Sequence, residues 1–272
     1  FVVLNCHIIY KQLFNYYGVE QLKKISALEA YQASPQPSQK HSTYFDIYDK
    51  IFSEYQNKKI TFVEVGVQLG GSLFMWKKFF GDKARIIGID LNPEAKKWEK
   101  DGFEIYIGSQ SDRDFWKKFI SDVGTIDVFL DDGGHTYIQQ IITTEHLLEN
   151  ISDGGVLVVE DTHTSYMEGF GDKNFSFINY VKVWIEKINT RFSAFNKTQD
   201  DTRVWSVEIF ESIVAFRINK KASKLKSEPL WNIQPEKEKL KDFRNADQTY
   251  IKENLKDITS AINQAFSIYK DS

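Results

Sequence analysis

Two short apolar runs end in acid, and those acids are where chemistry could begin. Ile126–Leu130 stops at Asp131-Asp132-Gly133-Gly134-His135. Gly155–Val159 stops at Glu160-Asp161 and continues as Thr162-His163-Thr164-Ser165-Tyr166. Short Val/Ile/Leu-rich runs read as strands buried on both faces of a parallel sheet, and ligands collect beyond the carboxyl ends of such strands. Two adjacent strand ends would therefore present Asp131, Asp132, Glu160, Asp161 and His135 to one crevice. So many carboxylates repel one another unless they are solvated, protonated or bridged by a cation. Oxygen ligands of this hardness suit Mg²⁺, Ca²⁺ or Mn²⁺, so a metal is the economical reading. Helix capping and solvated strand ends explain one or two of the acids and strain to explain all of them. His135 taken alone would read as a cap on the next helix.

A second group of residues lies upstream. The run Ile60–Val65 leads into Gly66-Val67-Gln68-Leu69-Gly70-Gly71-Ser72, and Leu73–Phe80 follows with a helical pattern. Glycines between a strand and a helix let the backbone approach a ligand, and the helix N-terminus adds partial positive charge. A nucleoside-like cofactor would fit there, although glycines also serve ordinary turns. About twenty residues on, Arg85–Ile89 ends at Asp90, where such folds place an acid on ribose hydroxyls. Phe103–Ile107 runs into Gly108-Ser109-Gln110-Ser111-Asp112, a loop that could bracket an adenine ring or cap the helix after it with Ser111 or Asp112.

The elements that must position these residues alternate, strand with helix, through residues 60–165. Phe177–Ile188 reads as a further helix, and Val204–Phe210 with Ser212–Ile218 as an antiparallel hairpin at the sheet edge. The expectation is an α/β fold, a doubly wound, mostly parallel, seven-stranded sheet with an antiparallel edge. Residues 1–37 read as a helical lid or oligomerisation segment closed by the Pro35/Pro37 turn. Residues 38–220 are the main domain, and 221–272 a charged helical extension with helices at Glu236–Phe243 and Tyr250–Tyr269. Ser152-Asp153-Gly154-Gly155 reads as a turn. Trp76, Trp98 and Trp116 fall on helices and read as packing, and the lysine runs near the end as solvated faces.

Composition narrows the classes. With 42% hydrophobic and 15% aromatic residues the chain can bury a large core. A formal charge of −3 with no basic patch argues against a nucleic-acid partner. One cysteine excludes an intrachain disulfide and fits a reducing cytoplasm. No apolar run is long enough for a membrane span, and Phe1–Tyr10 lacks the basic lead of a signal peptide.

The run Glu64-x-Gly66-x-x-x-Gly70-Gly71-Ser72, then Asp90, Asp131-Asp132-Gly133-Gly134-His135 and Glu160–Tyr166 resembles the class I S-adenosylmethionine-dependent methyltransferases. More narrowly it is similar to the metal-dependent sugar O-methyltransferases of the macrocin and mycinamicin type, over roughly residues 38–220. The resemblance implies a Rossmann-like methyltransferase fold, S-adenosylmethionine, and Mg²⁺ or Mn²⁺ held by Asp132, Glu160 and Asp161. It implies His135 as general base and Glu64, Gly66, Gly70 and Ser72 at the cofactor turn. Asp90 would be the ribose acid, Gln110 and Ser111 the adenine-side loop, and Asp131 would face the cofactor. Lys40-His41-x-x-Tyr44 resembles the segment that covers the cofactor, with Ser38-Gln39 in place of the usual Thr/Ser-Asp. His163 and Tyr166 become candidate contacts to a small-molecule or glycan acceptor. Assembly into a homo-oligomer is suggested by the terminal helices.

Three other functions stay open at this point. N-methylation of an amine or phosphoramidate-type group would lean less on a metal. A non-catalytic nucleotide-binding or scaffold protein could keep the fold. An NAD-dependent dehydrogenase would share it too, but Gly66-x-x-x-Gly70-Gly71 lacks the dinucleotide spacing.

Overall fold

The computed structural model describes residues 24–192, 194–195, 204–234, 236 and 248–267. Seven strands make one sheet: β1 (Thr61–Val65), β2 (Arg85–Asp90), β3 (Glu104–Ile107), β4 (Ile126–Asp131), β5 (Ile151–Val159), β6 (Val204–Phe210) and β7 (Ile213–Ile218). Their order is β3-β2-β1-β4-β5-β7-β6. The first five run parallel, and β7 returns antiparallel against β5 with β6 outside it. The expected edge hairpin is thus present. The order reverses between β1 and β4, so the chain leaves a crevice at their carboxyl ends, the switch point where ligands bind in such sheets.

The helices are α1 (Ala27–Gln32), α2 (Tyr44–Phe52), α3 (Gly71–Phe80), α4 (Arg113–Val123), α5 (Tyr137–Leu147), α6 (Phe177–Asn189) and α7 (Gln248–Ser267). The first three cover one face of the sheet with an aromatic layer that includes Tyr48, Phe52, Trp76 and Phe80. Trp116, Phe119, Phe177 and Trp184 belong to the layer on the other face. Alternation along β1 shows why both faces are dry: Phe62 packs with the first layer, Val63 and Val65 with the second. Trp76, Trp98 and Trp116 are all buried, as packing requires.

Helix starts follow local chemistry. Asp112 caps α4 by accepting from Asp114 N and Phe115 N, and Thr136 with Gln139 forms a capping box on α5. The Ser152–Gly155 turn is different from expectation, because those residues lie within β5. Ile151 pairs with Ile126, the register then shifts, and pairing resumes at Val128 with Val156. Ser152 Oγ donates to Asp127 Oδ1 at 2.7 Å, so the turn-like sequence is absorbed as an irregularity in the ladder. The helical pattern expected over residues 1–33 is described only as α1, and the rest of it, through residue 23, lies outside the described residues. The helix expected at Glu236–Phe243 likewise lies outside them, whereas the last one is α7.

Candidate functional site

A crevice of about 420 Å³ opens at the carboxyl ends of β1, β4 and β5, roofed by the strap that joins α1 to α2. Gly66, Ser72, Asp132, His135, Glu160 and Asp161 all line it, together with Tyr44 and residues 37–41 of the strap. The two strand-end acid groups and the glycine turn therefore meet in one place.

The turn is built by a close approach. Gly66 has φ +96°, and a Cβ there would stand 2.0 Å from the Asp132 carbonyl oxygen, so only glycine lets the β1 turn touch the β4 loop. Asp90 Oδ2 accepts from Val67 N and Gln68 N, each at 2.9 Å, and its Oδ1 from Asn92 N at 2.8 Å. The acid expected on a ribose thus holds the glycine turn. Gly70 has φ +84° with the Trp98 ring beneath it. Glu64, fully buried, accepts from Ser72 Oγ at 2.6 Å and Trp76 Nε1 at 2.9 Å, fixing the start of α3. Burial pushes its carboxyl up to about 7, against the opposing pull of Lys40.

On the β4 side, Asp131 turns away from the crevice into the protein. Gln110 Nε2 donates to its Oδ1 at 2.7 Å, Gly133 N at 3.2 Å, and Gln110 Oε1 accepts from Gly134 N at 2.8 Å. Burial pushes Asp131 up to about 6, with those two donors opposing. Its Oδ2 is buried with no hydrogen-bond partner among the described residues. Gln110 therefore clamps the Asp-Asp-Gly-Gly loop, while Ser111 sits exposed on the loop surface, its amide on Ser109 Oγ.

Asp132 points the other way. Its ligand atom, one of His135 and one of Asp161 all lie within 4.8 Å of one another. Two converging, half-buried carboxylates fit a divalent cation by donor chemistry, and the His135 imidazole stands beside them. His135 Nε2 lies 3.4 Å from Asp161 Oδ2. Asp161 also receives Tyr44 Oη at 2.5 Å, and His41 Nε2 and His163 Nδ1 each stand 3.9 Å from its Oδ1. Burial, then the hydrogen bond to Asp161, keep the Tyr44 phenol protonated well above its ordinary range. His163 is bound to Ser212 Oγ at the rim, and Tyr166 is 43% exposed beyond it.

Glu160 is the acid whose setting differs most from its neighbours. It is 1% exposed, its Oε1 accepts from Tyr48 Oη at 2.5 Å, and its Oε2 meets the Lys40 ammonium at 3.0 Å. Lys40 also reaches Asp132 Oδ2 at 2.6 Å. Burial pulls the lysine down, but attraction to Asp132 and Glu160 outweighs it and leaves Lys40 firmly protonated. Burial in turn pushes the Glu160 carboxyl up, opposed chiefly by Lys40. Sequence reasoning placed Lys40 only in a covering segment. The signal that could have found its role was charge balance, since the four clustered strand-end acids require a cation from somewhere.

A family described as a methyltransferase domain matches residues 63–162. Demethylmacrocin O-methyltransferase of Streptomyces fradiae is 33% identical over 132 residues, 46% of this chain and 33% of that protein. Mycinamicin VI 2''-O-methyltransferase of Micromonospora griseorubida is 33% identical over 131 residues, 46% of this chain and 32% of the relative. The chain thus spans about a third of the length of these curated relatives. Among solved structures, the MycE methyltransferase from the mycinamycin biosynthetic pathway in complex with Mg and SAH aligns with a TM-score of 0.67 at 23% identity. That alignment covers 79% of this chain and 59% of the other. At such identity it is the fold that is shared: a Rossmann-like methyltransferase fold.

Proposed function

We propose that this chain, whose family match and fold are those of a class I S-adenosylmethionine-dependent methyltransferase, transfers a methyl group to a sugar hydroxyl with the help of a divalent cation. The observation that carries the reading is the convergence of Asp132, His135 and Asp161 beside the glycine turn in one crevice. The names of the relatives support O-methylation, and the rhamnosyl and olivosyl groups in the names of two others, 30% and 26% identical, support a sugar or glycoconjugate acceptor.

When bound, the sulfonium cofactor supplies an activated methyl group and the divalent ion favours an ionised acceptor hydroxyl. The residues of the chain do the rest. The Gly66–Ser72 turn and α3 N-terminus give the cofactor close backbone contact, and Tyr44 with strap residues 37–41 screens it from water. Asp132 and Asp161 would hold the cation, while Glu160, implied by the resemblance as a third ligand, lies outside their cluster with its oxygens engaged by Tyr48 and Lys40. His135 is placed to accept the hydroxyl proton, and Asp161, whose Oδ2 lies 3.4 Å from its Nε2, steadies the charge of the imidazolium that forms. Holding the hydroxyl in line with the methyl group contributes through orientation. His163 and Tyr166, the candidate acceptor contacts, are not among the residues that line the crevice.

Calorimetric titration with S-adenosylmethionine and, separately, Mg²⁺ tests this, comparing the protein with Asp132→Ala/Glu160→Ala. Cofactor binding in both, with Mg²⁺ binding lost only in the variant, is expected. Cofactor binding without any metal binding would move the reading to N-methylation of a neutral amine. Failure of both would end the enzyme reading.

A further inference from the structure

The strap of residues 34–43 is pinned at both ends, and its second pin is a buried charge. At the first, Ser34 Oγ donates to the Gly71 carbonyl at 2.9 Å, and a Cβ on Gly71 would meet the Pro37 carbonyl oxygen at 2.3 Å, so the strap backbone lies directly on the start of α3. Tyr31 Oη donates to Ser38 O at 2.7 Å. At the second, the Lys40 side chain is 2% exposed, with Nζ 2.6 Å from Asp132 Oδ2, 3.0 Å from Glu160 Oε2 and 3.8 Å from Glu64 Oε1. Those three carboxylates belong to or directly follow three different strands, β4, β5 and β1. Stripping water from an ammonium is costly unless polar or charged groups replace it, and here three carboxyl groups surround it. A lysine needed only to cover the pocket could leave its head group in solvent. The burial of Lys40 requires another account.

We infer that Lys40 is a positioning residue, whose ammonium gathers Asp132, Glu160 and Glu64 and latches the strap over the glycine turn, so that cofactor retention depends on the carboxylates that face the acceptor. This rests on the methyltransferase reading only in naming the cofactor. The latch makes the two halves of the site one mechanical unit: the roof over the cofactor turn cannot lift without exposing the acid cluster. Tyr48 supports it from α2 by donating to Glu160, with the ammonium 5.7 Å from its ring centroid.

The test uses the full chain without added divalent ions, as wild type, Lys40→Met, and the charge-balanced Lys40→Met/Glu160→Gln. The double variant guards against misfolding of the single one, because it removes an anion with the cation. Hydrogen exchange is read on peptides covering residues 34–44 and on peptides covering β1 and β4, and S-adenosylhomocysteine affinity by calorimetry. A latch gives at least tenfold faster exchange confined to the strap, and at least tenfold weaker cofactor-product binding, in each variant that folds. Strap exchange at the wild-type rate, or a rise shared equally by the strands, would overturn it, the latter marking Lys40 as merely structural. If the wild type itself fails to bind S-adenosylhomocysteine, the methyltransferase reading falls, while the strap exchange still decides the latch.

Discussion

His135 and Asp161 both adopt left-handed backbone conformations, with φ of 60° and 55°, and Gln68 in the glycine turn does so at 43°. Such a residue costs of order 1 kcal/mol or more unless it is glycine, so the strain is concentrated where the crevice needs side chains aimed inward. Asparagine tolerates this region as well as aspartate does. Asp161→Asn is therefore expected to change unfolding free energy by under about 1 kcal/mol while weakening Mg²⁺ binding at least tenfold, read by denaturation and calorimetry together; unaltered Mg²⁺ affinity would remove Asp161 from the metal site. His135→Ala is expected to keep cofactor affinity and cut turnover by about 10²–10⁴-fold, and methylation at the unaltered rate would refute the base assignment. Glu64 makes a prediction of a different kind. Its carboxyl, ordinarily near 4.5, is pushed up to about 7 in the folded chain, so the folded state holds a proton that the unfolded state has released. Stability from this group is full below about pH 4.5 and is lost as pH rises through 7. Glu64→Gln, which can still accept from Trp76, should reduce the fall in urea-unfolding free energy between pH 6 and 8 by about 1–2 kcal/mol. An equal slope in both proteins would show that Glu64 does not carry it. At this scale the acids and His135 were legible because their types cluster in sequence. Lys40 was not, because ninety-two residues separate it from Asp132 and only folding joins them. Gln110 was legible as a loop residue but its hold on Asp131 was not, for the same reason.

At the scale of elements, the crevice exists because three strand ends touch. The β1 turn and the β4 loop approach so closely at Gly66 that a methyl group would overlap the Asp132 carbonyl, in a backbone conformation that already disfavours a side chain. Gly66→Ala is expected to cost about 2–4 kcal/mol and to lower the melting temperature by several degrees, with cofactor affinity reduced more than the loss of folded protein explains. A melting temperature and affinity matching the wild type would mean the β4 loop yields freely. Strands β1, β2, β4 and β7 were legible from runs of Val, Ile, Leu and Phe, and the hairpin from the two-run pattern that ends the domain. The start of β5 was not, since Ser152-Asp153-Gly154-Gly155 carries every local mark of a turn. Pairing with β4 and the Ser152–Asp127 hydrogen bond override that local preference, a tertiary effect that no window of sequence contains.

For the whole molecule, the packed layers end with the sheet. After β7, Lys220 N donates to Asp153 Oδ1 and Ser223 is buried, and these contacts finish the join. Beyond them Leu225, Leu230 and Ile233 are exposed at 70%, 92% and 78%. On α7, Leu255, Ile258 and Ile262 are each more than half exposed and fall at helical spacing on one stripe. No helix among the described residues is long and apolar enough to cross a membrane. Among the described residues after Ser223, every side chain that is described is exposed. A chain ending at residue 226 is expected to melt within about 2 °C of the full chain, because the described side chains it removes are exposed and losing such residues shifts stability by only about 0.5 kcal/mol. It should also bind S-adenosylhomocysteine with the same affinity. Sedimentation of the two chains at matched concentration then assigns the stripe: a full chain heavier than one protomer, reduced to a monomer by the cut, places self-association on α7, whereas an unchanged assembly state places it elsewhere. A fall of 5 °C or more in melting temperature would show instead that α7 packs on the domain in solution, and the boundary at the end of the sheet would have to be redrawn.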